Sequence, residues 1–487
     1  MTGKTDESVR LIMPIANVKR IIILSALCTL SACAYTAPPD FNFNFGHNEY
    51  SPPAEYVDLR KKENKAQTQP NTTTDVWWEI YNNNTLNTLI KNAFKDNPDI
   101  NQTRARLNQA AALAKISRAD LLPELTATGQ YKTQNGDNRT PSSFLLASAA
   151  GYEIDIWGKN RANHKSSLLE AQASADDLRA AAITLSASIV ETWLRLLSLK
   201  EEEDIIRKQI ELNKTVLQLQ KNRYEMGSAS LLDYLQQDET VAKAEATLPD
   251  ILSEQDQALH KLAVLTGQLP TEDIDIQEEM LPSPLPLPDH GIPSALLENR
   301  PDINAAWNRM QSAGWAGKAA WADRLPNFTL NVNYNTTSSA FDSLFNTWLL
   351  EMAANMVAPV FDGGAKKAEQ LRQESIADEK LHAYKGVVLA AIQEVEDSLS
   401  RNNFLDQKET SVKRQLVAGQ KTLEQAQISY ANGSQNYINV LNAISNVQNL
   451  ERDLIRTRRA LAMERVSLYR SLGGNIWIDR FLEEQEG

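Results

Sequence analysis

The sequence predicts an α+β membrane protein in which one unit of roughly 200 residues occurs twice. Three observations predict it: a gap-free internal repeat, two helical periodicities far longer than ordinary, and four short alternating strands. Asn97 to Tyr131 and Arg300 to Tyr334 align at an offset of about 203 positions. Pro98/Pro301, Asp99/Asp302, Ile100/Ile303, Arg106/Arg309, Asp120/Asp323, Leu122/Leu325, Pro123/Pro326 and Tyr131/Tyr334 are identical. Each copy reads as a helix, a Leu-Pro stop and a strand. The repeats are expected over 75–269 and 294–474, joined by a Pro-rich linker at 270–293 and followed by a tail at 475–487.

Composition sets the limits. A length of 487 residues with 42% hydrophobic content and a mean hydropathy of -0.41 describes a water-solvated chain rather than a bundle of membrane helices. The net charge of -12 argues against nucleic acid as a partner, because phosphate binding needs a basic face. Cys28 and Cys33 are the two cysteines, so no disulfide framework is expected.

The N-terminus reads as an address. Lys19 and Arg20 precede the apolar run Ile21 to Leu30, which is too short to span a bilayer and fits a signal h-region. Leu30-Ser31-Ala32-Cys33 resembles a bacterial lipobox, which implies removal of residues 1–32 and lipidation of Cys33. Met13 is an alternative start to Met1. Ala34 follows the cysteine, and in lipoproteins of Gram-negative bacteria a non-acidic residue there implies sorting to the outer membrane. Residues 33–74, rich in Pro, Asn and Thr, form an extended arm.

The elements follow in order. Trp77 to Phe94 predicts a short amphipathic helix whose Trp pair packs into the body. A helix starts at Pro98, where proline suits the first turn, and stops before Pro123. Leu125–Thr133 and Leu145–Ile156 predict strands around a polar turn. After Gly158 a helical pattern runs to Met226, with Leu178, Ala182, Leu185, Ile189, Trp193, Leu196 and Leu199 at steps of three and four. Periodicity this long without a breaker indicates coiled-coil-like packing, and about 65 residues make a rod on the order of 100 Å. A glycine turn then leads into a helix over Leu231–Leu265.

Pro282, Pro284, Pro286 and Pro288 impose an extended linker that wraps the body. The second copy predicts a helix over Pro301–Asp323 and strands over Asn327–Asn335 and Thr347–Ala358. Phe361-Asp362-Gly363-Gly364 matches Ile156-Trp157-Gly158-Lys159 as the corner into the second rod, which ends near Ala431. A last helix spans Tyr437 to Leu472.

The strands decide the architecture. Phe328, Leu330, Val332 and Tyr334 alternate with Thr329, Asn331 and Asn333, and Trp348 to Met356 alternate likewise. An apolar face opposite a polar one, with aromatics near the ends, fits a membrane β-barrel. Four strands cannot close a barrel, and an open edge in lipid leaves backbone groups unsatisfied. The chain must therefore oligomerise with cyclic symmetry; three chains of four strands close a barrel of twelve, with a polar face lining a lumen.

Taken together, the lipobox, Trp77-Trp78-Glu79, the two Pro-Asp-Ile copies with their Leu-Pro stops, the two corners and the glycine turns resemble the outer-membrane efflux proteins. This is the TolC and OprM group, most closely its NodT-type lipoprotein branch, and the resemblance spans the mature chain. It implies a homotrimer with a twelve-stranded outer-membrane barrel above a long periplasmic helical barrel. It also implies a passive exit duct for small molecules such as drugs, served by a periplasmic adaptor and an inner-membrane pump of RND type. Alternatives are a type I protein-secretion conduit and, from another class, a non-transport periplasmic coiled-coil lipoprotein.

No catalytic constellation is visible. The five histidines are scattered, no His-Glu-x-x-His, Cys/His cluster or phosphate loop occurs, and neither metal nor cofactor is expected beyond the lipid on Cys33. By resemblance, adaptors dock at the tips formed by Arg223, Tyr224, Gly227 and Ser228 and by Gly433 and Ser434. The gate lies beside them, at Asp233, Tyr430, Gln435, Asn439 and Asn442. Here Gln435 stands where TolC has an arginine, and Asn439 and Asn442 where it has aspartates. The sequence therefore predicts a neutral, hydrogen-bonded gate, in which a bond from Asp233 to Tyr430 is one available link.

Overall fold

The computed structural model describes residues 76–133, 142–272, 274–277, 280–287 and 300–474. The expected signal, Cys33, the arm and the C-terminal tail lie outside the described residues.

Duplication is visible in the element lengths. Helix α1 (Asn84–Asp96) leads into α2 (Pro98–Ala119), hairpin β1 (Glu124–Thr133) and β2 (Ser142–Glu153), then α3 (Lys159–Glu225) and α4 (Leu231–Leu265). The second copy supplies α5 (Pro301–Ala322), β3 (Asn327–Ser338), β4 (Leu349–Val357), α6 (Ala365–Ala431) and α7 (Tyr437–Ser471). Both α2 and α5 have 22 residues, α3 and α6 have 67, and α4 and α7 have 35. At 1.5 Å per residue the two longest reach about 100 Å.

Local chemistry sets the boundaries. Asn97 caps α2 by accepting from the backbone of Asp99 (2.9 Å) and Ile100 (3.1 Å). In the second copy Arg300 stands at this position and reaches Glu394 (2.8 Å) and the carbonyl of Ser471 (2.9 Å), tying α5 to α6 and α7. Gly158 and Gly364 occupy the left-handed region before α3 and α6. They equate as N-caps, so the true correspondence of the corners is Gly158 with Gly364, one position away from the match that sequence suggests. Pro249 sits inside α4 without ending it.

The expected helix over Trp77–Phe94 is two pieces. A 3-10 turn over Trp77–Tyr81 ends at Asn82, whose φ of 48° is left-handed, and α1 restarts with Asn83 as its cap. The break turns both tryptophans inward: Trp77 is 3% exposed and Trp78 2%. They pack with Phe94, Trp193 and the Leu178–Leu197 face of α3 in the largest core, which also takes Ile276, Leu281 and Leu285 of the linker. The linker therefore straps the body, as expected, with Arg458 of α7 donating to the Leu281 carbonyl (3.4 Å). Beside it Glu202, 1% exposed, is held by Arg456 at 3.1 Å; burial pushes its carboxyl up and the arginines oppose that shift.

The four strands make one antiparallel sheet in sequence order, with β1 and β4 as open edges. Register aligns the faces: Leu125 pairs Ala150, Ala150 pairs Val332, and Val332 pairs Met352. The parallel row Thr126, Ala149, Asn333 and Glu351 carries the other, more polar face. The strand boundaries differ from expectation. β2 starts at Ser142 and stops at Glu153, and β3 runs on to Ser338 because pairing with β2 continues to Phe144. β4 is shorter than expected. Tyr131 packs on Phe144 (centroids 4.8 Å), and Phe144 on Phe341, giving the sheet an aromatic end away from the helices.

Candidate functional site

The site lies at the end of the helical rods opposite the sheet. Two turns close it, and their backbones are alike. After α3, Gly227 donates to the Tyr224 carbonyl (2.9 Å) and Ser228 to that of Arg223 (2.8 Å); after α6, Gly433 donates to Tyr430 (3.0 Å) and Ser434 to Ser429 (2.9 Å). This is the Schellman arrangement, which needs a left-handed residue. Gly227 has φ +72° and Gly433 φ +71°, and a Cβ at either would meet nothing within 4 Å. Glycine is required there by its backbone, not by crowding.

The side chains differ. Ser230 caps α4 by accepting from the backbone N–H of Asp233 (3.1 Å), while Asp233 accepts from that of Ser230 (3.3 Å), a reciprocal capping box. Within one chain Asp233 is thereby engaged by its own helix end, and Tyr430 donates to Gln220 instead. Asn436 at the matching position of α7 makes no side-chain cap. Arg223 is engaged within the chain: its guanidinium stacks 4.8 Å above the Tyr430 ring and so joins the two tips.

What joins the two helical hairpins is a polar ladder. Tyr437 donates to the Gln237 side chain (2.7 Å), and Gln237 donates to the Asn213 carbonyl (2.8 Å). Gln448 reaches the Asn213 side chain (3.1 Å), and Gln209 donates to Glu451 (2.8 Å). Tyr430 donates to Gln220 at 3.4 Å, with its ring 5.1 Å from that of Tyr437. Gln237 and Asn213 are 0% exposed and Gln220 1%. Burial pushes the Tyr437 phenol up to about 12, partly offset by a hydrogen bond from Gln220. Buried bonds of this kind are costly to leave unmade, about 1–3 kcal/mol for each unsatisfied group.

Sequence reasoning missed this ladder. Its signal was present: Gln209, Asn213, Val216 and Gln220 fall at helical spacing on one stripe of α3, where a rod should be apolar. Of the residues expected at the gate, Asp233 and Tyr430 are half-buried and the other three are exposed. Gln435, in the turn before α7, and Asn439 and Asn442 on α7 carry no charge. Around the tips Tyr224, Met226, Leu231, Leu232 and Leu235 are also exposed, from 43% for Tyr224 to 73% for Met226.

The outer membrane efflux protein family model matches residues 89–268 and 292–474, both repeats almost end to end. The chain belongs to the outer membrane efflux protein family. It is 28% identical over 481 residues to the pyoverdine export outer membrane protein OpmQ of Pseudomonas aeruginosa, covering 95% of this chain and 98% of that protein. The OpmQ of Pseudomonas putida is 30% identical over 473 residues, 94% of this chain and 97% of its own. Among solved structures the outer-membrane channel OprN superposes with a TM-score of 0.78 at 25% identity, covering 88% of this chain and 98% of that one. The outer membrane protein VceC of Vibrio cholerae gives 0.76 at 25% identity, over 82% and 98%. The fold is TolC-like: four strands from each of three chains close a twelve-stranded barrel over a helical barrel. This family member is an efflux channel of the outer membrane.

Proposed function

We propose that the chain is the exit duct of a three-part pump for small molecules, held in the outer membrane by its barrel and by lipid on Cys33. A periplasmic adaptor and an inner-membrane pump of RND type complete the pathway. One observation carries the reading: an open-edged sheet with a polar face stands over two helical hairpins that end in matched glycine turns. A conduit through both membrane and periplasm needs both parts in one chain. Relatives named for export of pyoverdine and efflux of toluene support small molecules as cargo.

The tips at Arg223, Tyr224, Gly227, Ser228, Gly433 and Ser434 receive the adaptor, with exposed Met226, Leu231 and Leu232 as its apolar footing. The gate is neutral. Gln435, Asn439 and Asn442 supply its inward amides, Asp233 fixes the start of α4, and Tyr430 with Tyr437 latches one hairpin to the other. Planar-bilayer recording on the purified protein tests the duct: small, closed-state conductance is expected from wild type and larger steps from Tyr430→Phe/Tyr437→Phe. No current from either protein would reject the duct, and equal conductance would reject the latch. For the anchor, mass spectrometry should find a diacylated or triacylated Cys33 at the mature N-terminus.

A further inference from the structure

The duplication offers an internal template for a contact that one chain cannot make by itself. Pro98 of α2 corresponds to Pro301 of α5, 203 positions on, and Lys159 of α3 to Ala365 of α6, 206 positions on. Contacts inside each half confirm both offsets. Asn160 donates to the Asp120 carbonyl (3.4 Å), and its counterpart Lys366 donates to that of Asp323 (2.7 Å). Ile100 packs in one core with Ala182, Leu185 and Ile189; Ile303 packs with Val388, Ala391 and Val395, their exact counterparts by these offsets.

Between the halves, α3 packs against α5. Arg309 of α5 is the hub of that seam: it pairs with Asp177 (3.1 Å) and reaches Glu170 at 3.4 Å. Between these acids on the same stripe of α3 lies Ala173, 0% exposed. The equivalent seam joins α6 to α2, and within one chain both of those faces are open. Leu113 and Ile116 on α2 are 59% and 63% exposed, and Leu371 and Leu389 on α6 53% and 51%. In the trimer this seam falls between chains, beside the junction of the open edges β4 and β1.

Transferring the template gives a definite pairing. Arg106 replaces Arg309, and Ile376 and Ala383 replace Glu170 and Asp177. Glu379 replaces Ala173. The acid has moved from the flanks of the stripe to its middle, while the arginine has been kept. Arg106 is exposed and has no ion pair among the described residues, and the Glu379 side chain is 67% exposed with only its chain neighbour Lys380 as a partner. We infer that Arg106 pairs with the partner subunit's Glu379 at each seam between chains. With Arg309 this sets six arginines in one ring around the helical barrel, each answered by acid from the helix on its other side. The inference rests on the trimeric fold and deepens it by naming the residues that fix the relative height of neighbouring chains.

The test uses the full chain in its membrane. Arg106→Glu and Glu379→Arg should each lower the temperature at which SDS-resistant trimers dissociate, by at least about 3 °C. Their combination should recover at least half of the loss, as swapped charges restore the pair. Two single losses that simply add, or no single loss, would overturn the pairing while wild-type trimers leave the fold intact. A wild type that runs as monomer would overturn the trimer and the pair together. Should a charge reversal block assembly, Arg106→Cys/Glu379→Cys provides a second reading. A short bismaleimide should then yield covalent dimers and trimers that Arg106→Cys alone does not form, and monomers only would overturn the inference.

Discussion

The turn after α3 and the turn after α6 have nearly the same backbone and are held by different means. Both use a left-handed glycine with open space around it. The first is fixed locally, by a capping box between Ser230 and Asp233. The second has no such cap, and its start is held sideways, by Tyr437 and Tyr430 bonded to glutamines on α4 and α3. The lesson concerns movement. A tip that is closed by its own residues moves as a unit, whereas one held by its neighbour is released when that contact breaks. If the duct opens at this end, as proposed above, the second hairpin is the part suited to swing.

Four measurements test this difference between the tips. The largest effect is expected from Gln237→Ala, which removes the acceptor of the Tyr437 O–H and a second partner of the Asn213 carbonyl in a site 0% exposed. A loss of about 2–3 kcal/mol in denaturant unfolding should follow, while exposed Gln435→Ala stays within about 0.5 kcal/mol. Equal losses would remove the ladder from its role. Next, Gly227→Ala and Gly433→Ala should each cost about 1–2 kcal/mol, and nearly the same amount, since both enforce the left-handed region without a clash. Unequal costs would show that the two backbones are not equivalent.

Ser230→Ala should cost about 1 kcal/mol, because it removes a cap, and Asn436→Ala much less, as no cap is lost there. Thermal melts of the two variants compare the tips directly. The smallest effect is a pH dependence. The Tyr437 phenol is raised from 10.0 to about 12 in the folded chain, so its contribution is complete below pH 10 and is lost as pH climbs through about 12. Burial also raises the phenols of Tyr81, Tyr384 and Tyr469, so tyrosinate absorbance should show several late-titrating groups. Tyr437→Phe should remove one of them, the step near pH 12. If Tyr437 ionised with the exposed tyrosines, the second tip would not be held by a buried bond.

Much of the fold was legible. The helix expected over Leu231–Leu265 coincides with α4, and that from Tyr437 ends within a residue of α7. Long rods state their period many times over, so local errors average out. Short segments do not. Trp77 to Phe94 reads as one amphipathic helix, yet Asn82 adopts the left-handed region and splits it, because both tryptophans must reach the core. Strand ends shifted for a related reason: pairing with β2, not composition, decides where β3 stops. At the site, the glycine turns and the exposed amides of α7 were readable. The pairing of Asp233 was not, since an aspartate three residues after a serine serves equally as a cap or as a partner across the tips.

By itself, the sequence determined that the protein is a duplicated unit, that its strands have one polar and one apolar face, and that its rods are broken by glycine. These are properties of neighbouring residues, encoded in spacing and in the conformations that glycine and proline permit. Tertiary structure alone decided which polar groups meet. Tyr437 and Gln237 lie 200 positions apart, and no local rule connects them. Their bond exists because two helical hairpins pack side by side and exclude the water that would otherwise satisfy them both.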